Sequence, residues 1–247
     1  MVNIIMYLNI ESVKKYLLKN KKFRIVFLGD SITSTEWVHP NWREIVEYVV
    51  KNEAEKITSD WKLSSWQIRG INCGFDGSTT KDILNKVKET LSYKPDLVIT
   101  IMGGNDEVLG ISVEQSIKNI NLILKKLSKK IPYIFWCNST PALKGNIKNE
   151  KYKPYAEATI KIKSNNKIKL FDMFNEYQKY DSKKIFTFKS EENLVENIKE
   201  GEIDPNHPNI LGNAYIAKIL LKKIFGIEFN PEKYLKTLLG GKKYPDY

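Results

Sequence analysis

Short apolar, β-branched runs alternate along this chain with longer amphipathic stretches. FRIVFLG (23–29), WQIRGINCG (66–74), PDLVITIMG (95–103), PYIFWCN (132–138) and KIKLFDM (167–173) read as strands. Helical periodicity occupies residues 41–56, 79–91, 112–130, 153–163 and 208–225. Strand followed by helix, repeated, predicts an α/β fold with a parallel sheet covered by helices on both faces, and the continuous apolar runs suit strands buried on both sides. No internal repeat, linker or break in composition marks a second domain, so residues 1–247 read as one domain.

Two helix starts sharpen the pattern. Thr79-x-x-Asp82 makes residues 77–80 a strand-to-helix turn, with the threonine oxygen capping an orphan N–H. Pro208 precedes the apolar positions Ile210, Leu211, Ala214, Ile216, Ala217, Leu220 and Leu221, which suits the first position of a helix and puts His207 just before it. Open parallel sheets bind ligands outside the carboxyl ends of their strands, so both turns are expected there or beside it.

Composition changes this picture little. With 42% hydrophobic and 28% charged residues the chain has the balance of an ordinary globular protein. No run approaches the roughly 20 apolar residues of a membrane span. The first 22 residues place their charge after the apolar part, the reverse of a secretory leader, which predicts a cytoplasmic protein. A formal charge of +11 raises nucleic acid as a partner, but all but three of the 40 basic residues are lysines scattered along the chain, and no zinc-finger, RNP-type or basic-block motif accompanies them. No nucleic-acid partner is expected. Cys73 and Cys137 sit in apolar surroundings and read as reduced, buried thiols.

Candidate chemistry lies at the predicted strand ends. Gly29-Asp30-Ser31 follows the first strand and presents a serine, whose hydroxyl needs a base to become a useful nucleophile. Of the two histidines, His207 lies in Asp204-Pro205-Asn206-His207-Pro208, where the aspartate three residues earlier can orient the imidazole and stabilise its cationic form. Oxyanion donors are offered by Asn105 in Gly103-Gly104-Asn105-Asp106, by the Gly77 backbone and by the N–H of Ser31.

In these four blocks, taken in order, the sequence resembles the SGNH/GDSL hydrolases. The resemblance covers about residues 23–225 and implies a three-layer α/β/α, flavodoxin-like fold with about five parallel strands. It also implies Ser31 as nucleophile, Gly77 and Asn105 as oxyanion donors, and Asp204 with His207 as acid and base. The implied activity is carboxylic-ester hydrolysis through an acyl-enzyme on a small-molecule ester, without metal or organic cofactor. Ile32 stands where the family usually has leucine. Residues 1–22 and about 230–247 have no counterpart, and residues 33–65 form a long link between the first two strands.

Trp37 and Trp42 follow the serine closely and are candidates for a platform under a sugar ring or acyl chain; core packing is the competing role. His39 reads as a helix-entry surface residue. Short acyl groups on a carbohydrate or small alcohol are the expected substrates, with lipase or lysophospholipase activity as the alternative. A third reading is a non-catalytic flavodoxin-like binding protein, since the hydroxyl-rich GDSITST could cradle a phosphate; it leaves Asn105, Asp204 and His207 without a task.

Overall fold

The computed structural model describes residues 8–34, 37–191 and 198–247. Helix α1 (Ile10–Asn20) leads into β1 (Phe23–Gly29), followed by α2 (Trp42–Thr58), α3 (Trp61–Gln67), β2 (Ile68–Gly74), α4 (Thr80–Ser92) and β3 (Leu97–Ile101). Then come α5 (Gly104–Val108), α6 (Val113–Leu127), β4 (Tyr133–Cys137), α7 (Lys148–Ile160), β5 (Ile168–Phe171), α8 (Met173–Tyr177) and α9 (Ser182–Ile185). Helix α10 (Ile210–Leu220) widens into a π-helical turn at Leu221–Phe225, and α11 (Pro231–Leu239) ends the order. None of the described helices is long and apolar enough to cross a membrane.

The five strands are parallel in the order β2-β1-β3-β4-β5, the doubly wound arrangement of flavodoxin-like folds. Alternation along each strand assigns its side chains to two layers. Phe23, Ile25 and Phe27 of β1 pack with α1, α2, α10 and α11, whereas Val26 and Leu28 pack with α4 and α6. The chain reverses its winding between β1 and β3, which opens a crevice at their carboxyl ends where the loops carrying Ser31 and Asn105 meet.

Both ends of the chain extend the core beyond residues 23–225. Val13 and Leu17 of α1 are fully buried in the first layer, and Tyr16 donates to Asp96 Oδ1 at 2.7 Å. Tyr234 and Leu235 of α11 join the same layer, and Tyr48 donates to the carbonyl of Pro245 at 2.9 Å. Residues 66–67 end α3 instead of starting a strand, because Asp60 caps that helix and Leu63 is its buried anchor. The long link between β1 and β2 is largely filled by α2 and α3.

Helix starts obey local capping. Thr79 and Asp82 form a reciprocal capping box at α4, and Asn41 with Glu44 forms another at α2. Pro208, expected at the first helical position, precedes the cap: the Asn209 side chain accepts from Gly212 N, and α10 begins at Ile210, two residues later than expected. An asparagine acceptor satisfies an orphan N–H, which a proline cannot do.

Candidate active site

The first strand ends in a turn so tight that nothing larger than glycine fits at its last position. A Cβ on Gly29 would lie 2.4 Å from the Ile101 carbonyl and 2.4 Å from Thr33 Oγ1, so the requirement is close approach of neighbouring atoms, not an unusual φ. The Asp30 carbonyl accepts from Thr33 N and Ser34 N, and Asp30 Oδ1 accepts from Ile32 N at 3.1 Å. The start of α2 clamps the same turn. Asn41 Nδ2 donates to the carbonyls of Ile32 and Ser34, and Trp42 Nε1 donates to the Ile32 carbonyl at 2.9 Å.

Ser31, held in this turn, meets the loop preceding α10. Its Oγ lies 2.9 Å from His207 Nε2, and His207 Nδ1 lies 2.6 Å from Asp204 Oδ2. This geometry suits the tautomer with its proton on Nδ1, donated to the carboxylate, which leaves Nε2 to accept from the serine. The other Asp204 oxygen accepts from Asn206 N at 2.8 Å and His207 N at 3.3 Å. Burial pushes the Asp204 carboxyl upward, but the hydrogen bond and charge of His207, with those backbone N–H groups, hold it below the ordinary carboxylate value. Asn213 joins the two halves. It accepts from Trp42 N at 3.1 Å and donates to the Pro208 carbonyl at 2.9 Å.

Two further loops complete the cleft. Gly77 has φ +67°, a left-handed conformation that favours glycine, and it lines the same cleft as Ser31. Gly103, at φ +130°, turns the chain from β3 into the short helix α5, which presents Asn105 to the cleft. Asn105 Nδ2 donates one hydrogen to the Ser78 carbonyl at 3.1 Å and retains a second donor. Beneath them, fully buried Asp106 accepts from Thr80 N and Thr80 Oγ1, both at 2.7 Å, and Asn119 donates to Thr80 Oγ1 at 3.0 Å. This network ties the Gly77 and Asn105 loops together.

The two tryptophans separate. Trp37 lies flat on His207, with ring centroids 3.6 Å apart and planes 3° from parallel, and its indole N–H donates to Asp76. Trp42 is no platform: it is fully buried, edge-on to Phe27, and its contribution is to hold the nucleophile turn. As the first residue of a capped helix that packs on the sheet, it has its ring directed into the core. His39 is exposed and lies 3.3 Å from Glu44. Cys73 and Cys137 are free, buried thiols, and burial raises both above the ordinary thiol value.

Other cleft residues went unnoticed in the sequence. The cleft, about 390 Å³, is walled by Ser139 to Ala142 after β4, by Lys148 and Tyr152 of α7, and by Val108 and Leu109 at the end of α5. The continuation of β4 into a strand end at the sheet's carboxyl edge was the signal available for the first of these. Asp30 also borders the cleft; burial pushes its carboxyl up to about 6, against the Ile32 N–H and the field of His207.

Compared with known families, residues 25–220 match the GDSL-like lipase/acylhydrolases. A GDSL esterase/lipase of Arabidopsis thaliana is 24% identical, the match covering 87% of this chain and 84% of that protein. Among solved structures, a variant of Axe2, an acetyl-xylooligosaccharide esterase from Geobacillus, superposes with a TM-score of 0.61 at 17% identity, covering 84% of this chain and 95% of the other. The acetyl xylan esterase AlAXEase does so with a TM-score of 0.60 at 21% identity, over 82% of this chain and all of that one.

Proposed function

The chain belongs to the GDSL-like lipase/acylhydrolase family and is a GDSL-type esterase, and from that premise we propose that it removes short acyl groups, acetyl foremost, from a carbohydrate. The observation that carries the catalytic part is the continuous chain from Ser31 through His207 to Asp204, with contacts of 2.9 and 2.6 Å. In this reading His207 takes the Ser31 proton as Oγ attacks the ester carbonyl. The Ser31 N–H, Gly77 N–H and Asn105 amide hold the oxyanion. His207 then protonates the leaving alcohol, and a water activated by the same imidazole releases the acyl group and restores Ser31.

Substrate class rests on the walls of the cleft. Trp37, fixed by Asp76 and flat on the imidazole, sets an aromatic plane beside the base, a surface against which a sugar ring packs well. Two structural neighbours described as acetyl xylan or acetyl-xylooligosaccharide esterases support the same reading. Val108 and Leu109, exposed at the cleft's edge, favour a second one, in which a longer acyl chain lies along them.

An acyl-length series of p-nitrophenyl esters, run beside a fluorophosphonate probe, tests both parts. We expect a single label on Ser31, abolished in Ser31→Ala, and a higher kcat/KM on the C2 than on the C12 ester. Undiminished labelling of Ser31→Ala removes Ser31 as nucleophile; preference for C12 transfers the protein to lipid substrates.

A further inference from the structure

Lys148 opens α7, and Tyr152 stands one helical turn later on the same face; both line the cleft that holds Ser31 and Asn105. Lys148 is half-buried, yet among the described residues its ammonium group has neither an ion pair nor a hydrogen bond. The carboxylates whose fields reach it are engaged elsewhere. Glu107 lies 3.4 Å from Lys151, and Asp204 is bound by His207 and by two backbone N–H groups. Burial lowers the Lys148 pKa, and the fields of Asp204 and Glu107 oppose that shift. The Tyr152 hydroxyl likewise makes no hydrogen bond among the described residues, although the side chain is buried to the edge of the cleft.

A partly desolvated ammonium group with no counter-ion among the described residues is a ready partner for an anion that enters beside it. Here it faces the space that the substrate must enter. The whole chain carries a formal charge of +11, which draws anions toward it at long range. We propose that the substrate is an anionic ester, an acylated acidic sugar whose carboxylate is bound by Lys148 with the Tyr152 hydroxyl as second donor. One cation and one neutral donor match a monoanion better than a phosphate dianion, which calls for more positive charge. This inference rests on the esterase reading and narrows its substrate.

The test compares 4-acetoxybenzoate with its methyl ester, which differ in charge at one group, on wild type, Lys148→Met and Lys148→Arg. An O-acetylated oligogalacturonide and its methyl-esterified form serve as the sugar pair. Dividing each variant's acid-to-ester ratio of kcat/KM by that of wild type removes intrinsic reactivity. We expect Lys148→Met to lower the ratio about tenfold, through KM, the scale of one charge-assisted hydrogen bond, while Lys148→Arg keeps most of it. The wild-type ratio should also shrink in high salt. A ratio unchanged in Lys148→Met overturns the proposal. Stronger selection of 4-acetoxyphenyl phosphate than of the carboxylate overturns the choice of anion. Turnover of the aryl pair with none of the sugar pair leaves the anion site standing and removes the carbohydrate; turnover of neither defeats the acetyl-esterase reading itself.

Discussion

The two sides of the cleft are built on opposite principles. On one side Ser31, His207 and Asp204 are held by a closed set of hydrogen bonds, reinforced by Asn41, Trp42 and Asn213. In the same cleft, Lys148 and Tyr152 present polar groups that nothing among the described residues satisfies. Groups that stabilise a transition state work best when oriented beforehand, since no reorganisation is then needed during reaction. Groups that recognise a substrate must stay available to it. The contrast predicts that damage on the braced side appears in kcat and damage on the open wall in KM.

The largest effect is expected at the innermost member of the braced side. Asp204→Asn should lower kcat by about 10⁴ while the protein remains folded, because an amide fails to hold the productive imidazole tautomer. Steady-state kinetics with circular dichroism as the folding check decide this; a folded variant with a KM defect alone would break the comparison.

Next comes Asn105→Ala, which removes one preorganised donor and should reduce kcat by about 10²–10³ with KM nearly unchanged. Near wild-type kcat in a folded Asn105→Ala protein would remove Asn105 from the oxyanion site and leave only the backbone donors.

A smaller effect, read in stability, concerns Asp30. Its carboxyl is raised to about 6 in the folded protein, so the native state binds this proton more tightly than the unfolded chain does. Its stabilisation is fully present below the unfolded value near 3.9 and is lost as pH rises through about 6, on the order of 3 kcal/mol across the window. Asp204 has the opposite sign: its carboxyl is lowered, and its stabilisation is lost as pH falls below about 4. Chemical denaturation of wild type and Asp30→Asn between pH 4 and 7 separates the two, with the variant expected to lack the decline. An equal decline in both proteins would show that Asp30 does not keep its proton in the fold.

What the sequence determined by itself was most of what short-range rules govern, the caps at Asp60 and Asn209 and the two helix boundaries they set being the exceptions. Strand-end glycines, the capping pair Thr79 and Asp82, and the alternation of strands with helices follow from local sterics and periodicity, and these located five strands and the four loops that meet at the cleft. The order of the four motifs also named Ser31, Gly77, Asn105, Asp204 and His207 before any distance was available. Tertiary structure decided which of two similar residues does what. Trp37 and Trp42 are five positions apart and chemically identical, yet one covers the imidazole and the other disappears into the core, because only the latter lies on the buried face of a helix. It also decided that residues 8–20 and 231–239 belong to the first layer, since an amphipathic helix does not state which surface will cover its apolar face. That Lys148, one of many lysines, has no partner among the described residues was invisible for the same reason: a missing partner is a property of the three-dimensional neighbourhood, and no local pattern encodes it.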